Sequence, residues 1–201
     1  MNILITGALG HIGSSLITRL NEIKNLKKIY VIDSLRSNNI NVLFNLKVKK
    51  IKIKFIKADL IDQKTLNRVD DKINFVVHLA SITNAEASFK IKKELFQNNF
   101  GIFKNIVKWC IKKKAKLIHL SSTSVYGLQS ELVDEKLKKL SPQSPYAESK
   151  LKEEEFLKKH RDSMSYICLR FGTIYGFSVG MRFHTAVNKF CWQAANNQQL
   201  T

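Results

Sequence analysis

The sequence predicts an α/β protein: a doubly wound parallel sheet with helices on both faces. Three observations carry this. Short apolar runs alternate with segments of helical spacing along the 201 residues. A Gly-rich turn follows the first apolar run and opens a helical segment. Strands that alternate with helices must be joined by crossovers, which implies parallel pairing and places ligands at the carboxyl ends of the strands.

The elements follow in order. Residues 2–6 (NILIT) are a short apolar run, read as a buried strand. Residues 11–24 have helical spacing, with Ile12, Leu16, Ile17 and Leu20 on one face. Residues 28–33 (KIYVID) and 52–57 (KIKFIK) are the second and third strands, and 74–80 (NFVVHLA) the fourth. Residues 91–114 form a long amphipathic helix, and 116–121 (KLIHLS) the fifth strand. Ser144 and Pro145 read as the N-cap and first position of a helix over 145–160. Residues 165–170 (SYICLR) are the sixth strand, and a last helix is expected over 182–196. The stretches 34–50 and 130–144 read as long loops of the kind that border a site.

Composition narrows the function classes. Hydrophobic residues are 44% and charged residues 25%, ordinary for a globular protein large enough for one core and a small second lobe. No apolar run reaches the roughly 18 residues that span a bilayer, and no basic segment opens the chain as in a signal peptide. Three cysteines, Cys110, Cys168 and Cys191, are too few for a disulfide framework and lack zinc spacing, which suits a reducing, cytoplasmic compartment. The net charge of +18 raises the question of nucleic acid. Of 34 basic residues, however, 28 are Lys, scattered along a chain rich in Ile and Asn, residues that share A/T-rich codons with Lys. No basic–aromatic interleaving appears, so neither nucleic acid nor membrane is expected as a partner. The positive field would attract an anionic nucleotide.

Three motifs carry chemistry. In Thr6-Gly7-Ala8-Leu9-Gly10-His11-Ile12-Gly13, Gly7 permits a tight turn, Gly10 lets backbone approach a diphosphate, and Gly13 lets helix pack on strand. The helix start adds free N–H donors. Asp33 closes the second strand 20 residues after Gly13, where a carboxylate binds ribose hydroxyls. That carboxylate would repel a 2′-phosphate and favours NAD, while Arg36 nearby keeps NADP open. The second motif, Tyr146-Ala147-Glu148-Ser149-Lys150, puts Tyr146 and Lys150 on one helix face, where the ammonium lowers the phenol's pKa and the phenolate can act as a base. The third, Ser121-Ser122-Thr123-Ser124-Val125-Tyr126-Gly127, ends the fifth strand and offers hydroxyls to a substrate oxygen.

In combination these motifs resemble the extended short-chain dehydrogenase/reductase superfamily, in particular its NAD-dependent epimerase/dehydratase branch that acts on nucleotide sugars. The resemblance runs from Met1 to about Asn197 and implies a Rossmann-type sheet. Further signatures stand in order. Asp59-Leu60 looks like the family's adenine contact. His78-Leu79-Ala80-Ser81 resembles its strand end beside the cofactor, and Asn98-Asn99-Phe100-Gly101 its N-x-x-G helix motif, which brings Asn98 near the active centre. Ser141-Pro142 and Pro145-Tyr146 stand in a P-x-x-P-Y-x-x-S-K stretch, and Arg170-Phe171-Gly172-Thr173-Ile174-Tyr175-Gly176 resembles R-Y/F-x-N-V-Y-G.

The resemblance implies that Tyr146 is the base and Lys150 its partner and a ribose ligand. It makes Ser122, four residues before Tyr126, the catalytic hydroxyl, with Thr123 the runner-up. The cofactor cradle would be Gly7, Leu9, Gly10, His11, Ile12, Gly13, Asp33, Arg36, Asp59, Leu60, Leu79, Ala80, Ser81 and Asn98, together with Tyr146 and Lys150. Thr173 stands where the family has Asn beside the substrate. Arg182 and Asn188, in Met181-Arg182-Phe183-His184-Thr185-Ala186-Val187-Asn188, would contact the substrate, since a guanidinium suits phosphate. His184 is read as a surface or packing histidine, and the side chains of His11, His78 and His119 receive no chemical role.

Two departures shape the expected activity. In the sugar dehydratases Asp and Glu follow the catalytic hydroxyl; here Thr123 and Ser124 do, which disfavours elimination of water. The expectation is therefore an epimerase of the UDP-glucose 4-epimerase kind, with a sugar-nucleotide dehydrogenase or reductase, or a non-catalytic NAD-binding fragment, as alternatives. Family members also usually exceed 300 residues. Residues 1–176 read as the NAD-binding domain with the catalytic residues, and 177–201 as the incomplete beginning of a substrate lobe, so the chain reads as truncated, with weak or no turnover alone. Homodimerisation through a four-helix contact is common in the family, and helices 91–114 and 145–160 would supply it.

Overall fold

The computed structural model describes residues 1–183 and 185–200; His184 lies outside them. Six strands form one sheet: β1 Asn2–Thr6, β2 Lys28–Asp33, β3 Lys52–Lys57, β4 Phe75–His78, β5 Lys116–Ser122 and β6 Tyr166–Phe171. Their spatial order is β3-β2-β1-β4-β5-β6 and every pairing is parallel. The α-helices are α1 His11–Arg19, α2 Ile40–Phe44, α3 Lys92–Lys113, α4 Pro145–Lys159 and α5 Ala186–Ala195.

The central strands are apolar through their middles because both faces are covered. Leu4, Tyr30, Ile32 and Val76 point to one face and pack with Phe103, Ile106 and Val107 of α3 and Leu157 of α4. Ile3, Ile5, Ile29, Val31 and Val77 point to the other and pack with Ile17 of α1. This alternation is the two-residue period of a strand. β6 keeps this period but has one face uncovered, which leaves Ile167 and Leu169 exposed. The sheet order reverses between β1 and β4. The loops leaving these strands diverge there, which opens a crevice above their carboxyl ends.

Several boundaries differ from expectation. The first helix ends at Arg19 rather than residue 24, because residues 20–22 tighten into a 3₁₀ turn and the Asn21 amide takes the Thr18 carbonyl. The fourth strand stops at His78, because the Ala80 N–H turns to the Thr6 hydroxyl (3.3 Å) instead of extending the ladder. The stretch 34–50 contains α2. The last helix starts at Ala186 rather than 182, because Arg182 is drawn toward the crevice and donates to the Thr83 hydroxyl. The Ser144 cap forms as expected, with its hydroxyl accepting from Ala147 N–H at 3.2 Å.

Candidate active site

The Gly-rich turn shapes the crevice floor. Gly7 has φ +62°, and a Cβ there would sit 2.6 Å from the Ala80 nitrogen, so only glycine suits the turn. At Gly13 a Cβ would lie 2.4 Å from the Ala8 carbonyl oxygen, which fixes how closely α1 approaches β1. Gly10 is less crowded: its Cβ would meet the Gly7 oxygen at 3.3 Å and the Arg182 guanidinium at 3.5 Å. Gly10 thus keeps clear the space in front of the α1 N-terminus, where no side chain caps the first turn. Free N–H groups and the helix dipole favour an anion there.

Beside this turn lies a cavity of about 520 Å³ lined by Asp33, Arg36, Asp59, Leu60, Ala80 and Asn98, among others. The Asp33 carboxylate is aimed by two backbone donors, Leu9 N–H at 3.1 Å and Leu35 N–H at 2.9 Å. Arg36 pairs with Glu94, which partly neutralises it. A carboxylate at the end of β2, a glycine floor and a helix start suit an adenosine diphosphate moiety.

On the other side of the turn a second cavity, of about 1040 Å³, is lined by His11, Ile12, Gly13, Ser122, Thr123, Tyr146, Lys150 and Thr173. Gly7, Gly10, Leu79, Ser81 and Arg182 border both spaces. Tyr146 stands in the first turn of α4 and Lys150 one turn further, with Lys150 Nζ 6.0 Å from the phenol ring centroid. Ser122 ends β5, and its oxygen accepts from Ser124 N–H at 3.2 Å and Ser124 Oγ at 2.8 Å. Both bonds use its lone pairs, so its own O–H remains for a substrate oxygen. The Thr123 hydroxyl instead donates to the Phe171 carbonyl at 3.3 Å, which separates the two candidates in favour of Ser122.

Of the residues singled out from the sequence, all line one or both cavities except Leu9 and Asn188. Leu9 is fully buried and contributes its N–H to Asp33. Asn188 is buried away from the crevice. Its oxygen accepts from Gly176 N–H and its amide donates to the Arg182 carbonyl, both at 2.8 Å. It therefore ties two loops together and sets Arg182 in place. Arg182 is partly buried, and burial lowers its pKa from the ordinary guanidinium value, against the raising pull of Asp33 and Tyr146.

Sequence reasoning missed several residues that set the site. Thr83 receives Arg182. Asn99, rather than Asn98, fastens the loop after β4, accepting from Ile82 N–H at 2.8 Å and donating to the Ile82 carbonyl at 3.0 Å. Glu154 braces α4 against Ser121 and Arg170. Glu153 sits one turn after Lys150 and pairs with it. The i, i+3 spacing of Lys150 and Glu153 was a signal in the sequence, but their burial was not.

Comparison with known proteins gives the family and the fold it shares. The model of the NAD dependent epimerase/dehydratase family matches residues 3–200. The chain is 32% identical over 193 residues to a dTDP-D-glucose 4,6-dehydratase of Dictyostelium discoideum, covering 87% of this chain and 44% of that protein. It is 34% identical over 166 residues to a UDP-glucose 4-epimerase of Yersinia enterocolitica, covering 79% of this chain and 48% of that protein. Among solved structures, a UDP-glucuronic acid 4-epimerase from Bacillus cereus, in complex with UDP-glucuronic acid and NAD, superposes with a TM-score of 0.86 at 29% identity, covering all of this chain and 65% of the other. The chain thus spans about half the length of the curated relatives it matches.

Proposed function

The chain belongs to the NAD dependent epimerase/dehydratase family, and from that premise we propose that it carries the cofactor-binding and catalytic residues of an NAD-dependent nucleotide-sugar epimerase. The observation that carries the reading is one cavity bordered by the glycine turn, Ser122, Tyr146 and Lys150. When bound, NAD supplies a reversible hydride acceptor. Tyr146, as phenolate, takes the proton from a sugar hydroxyl, and Lys150 stabilises the phenolate by its charge. The Ser122 hydroxyl donates to the same sugar oxygen and holds it near the phenol as it becomes a carbonyl. The phenol then returns the proton when the carbonyl is reduced on its other face. Arg182 and Thr173 stand on the substrate side, and Arg182 suits a diphosphate.

Elimination of water is disfavoured because Thr123 and Ser124, not carboxylic acids, follow Ser122. The outward faces of α3 and α4 would meet in a homodimer. The setting would be cytoplasmic, in keeping with three free cysteines. None of the described helices is long and apolar enough to cross a membrane.

The test is to express the protein from its own gene with NAD, supply UDP-glucose, UDP-glucuronic acid and UDP-N-acetylglucosamine, and follow the epimer by the anomeric proton signal. Tyr146→Phe should lower turnover by about a thousandfold while leaving NAD affinity within about threefold. Unchanged turnover would remove Tyr146 as the base, and stoichiometric reduced cofactor without epimer would convert the reading to net oxidation.

A further inference from the structure

Lys150 is 4% exposed and Glu153 is 1% exposed. Lys150 Nζ donates to Glu153 Oε2 at 2.9 Å. The same oxygen lies 3.2 Å from His119 Nε2 of β5. The titratable groups around the pair are Tyr146 and Glu154 of α4, His119 of β5, His78 of β4 and Cys168 of β6. Each has a reason not to balance the lysine. Glu154 is taken by Arg170 and Ser121. Burial holds His78 and His119 well below the usual histidine range, hence neutral, and pushes the Cys168 thiol up to about 12, hence protonated. Tyr146 carries charge only while it is a phenolate. Glu153 is therefore the permanent counter-charge among the described residues.

A buried ammonium without a partner sheds its proton rather than remain charged. Burial pulls Lys150 in that direction, and the Glu153 carboxylate, with smaller contributions from Tyr146 and Cys168, outweighs it, leaving the ammonium above its ordinary range. A neutral amine would give the phenolate no stabilisation, and the base would be lost.

We propose that Glu153 is a positioning residue: its buried carboxylate keeps Lys150 protonated and pinned one turn from Tyr146, so that the lysine can serve the base. This rests on the reading of Tyr146 and Lys150 as base and partner. The experiment is a pH titration of the protein labelled with ¹³C at lysine Cε, the Lys150 signal being assigned by its loss in Lys150→Arg. In the wild type the Lys150 midpoint should lie above those of the exposed lysines. In Glu153→Gln it should fall by about one pH unit or more, a tenfold easier loss of the proton, and Glu153→Asp should recover part of the shift. Thermal melts establish that each variant is folded.

In the enzyme assay, Glu153→Gln should acquire an alkaline loss of kcat at a pH where the wild type is still active. A purely structural Glu153 would lower stability without moving the titration. An unmoved Lys150 midpoint in folded Glu153→Gln overturns the proposal. Should that variant fail to fold, a wild-type midpoint at or below that of the exposed lysines overturns it equally. The titration needs no substrate, so a shifted midpoint in a protein that turns over no nucleotide sugar would sink the epimerase reading alone.

Discussion

Gly10 and Gly13 look alike in the sequence, yet their surroundings give them different work. A methyl at Gly13 would collide with the Ala8 backbone, which cannot move without shifting β1 against α1. Gly13→Ala should therefore cost about 2 kcal/mol of stability, read as a lowered melting temperature. At Gly10 the same methyl meets looser neighbours and fills the space in front of the α1 N-terminus. Gly10→Ala should melt within a few degrees of the wild type, yet bind NAD at least about tenfold more weakly by calorimetric titration. Wild-type affinity in that variant would mean that the diphosphate does not pass over Gly10. The three-glycine spacing was legible, and so was Ser122 by its count from Tyr126. What separates Ser122 from Thr123 was not, because it depends on the Phe171 carbonyl arriving from another strand.

Helix α4 shows how an element carries a site. Its start was readable in Ser144 and Pro145, a local matter of capping. Its orientation is set by Glu154, whose carboxylate accepts from Ser121 Oγ at 2.6 Å and from Arg170 at 3.0 and 2.7 Å. One side chain thus ties α4 to β5 and β6, while Arg170 also lies 4.8 Å over the Tyr126 ring. Glu154→Ala leaves a largely buried guanidinium unpaired and should cost about 3 kcal/mol in urea unfolding. Burial pushes the Glu154 carboxyl up, but Arg170 and Ser121 outweigh it and hold it below the usual carboxylate range. A carboxyl whose folded pKa is depressed contributes stability above its unfolded pKa and loses it as pH falls through the folded one. The gap between wild type and variant should thus be full at neutral pH and close in acid. A gap that persists at low pH would mean that packing, not charge, is what Glu154 provides. The start of α5 was not readable, because it is decided by where Arg182 is drawn in the crevice and by the Asn188 tie.

For the molecule as a whole, the net charge of +18 is a long-range property with a testable consequence. Affinity for a nucleoside diphosphate should fall by about tenfold between 50 and 500 mM salt, as screening shortens the reach of the surface lysines, while affinity for uncharged adenosine should hardly change. Equal salt sensitivity of both ligands would show that the field plays no part. The alternating pattern of strands and helices, the glycine turn with Asp33, and the Tyr146–Lys150 pair are properties of neighbouring residues, and for that reason the sequence by itself determined the fold class and the cofactor and singled out the side chains proposed to react. Only the tertiary structure decided which polar groups lie buried together. Lys150 and Glu153 meet His119, Arg182 meets Thr83, and Asn188 turns inward to the loops, because strands distant in sequence pair side by side and strip water from whatever lies between. Desolvation makes each such charge depend on its partner, and no local pattern along the chain reports it.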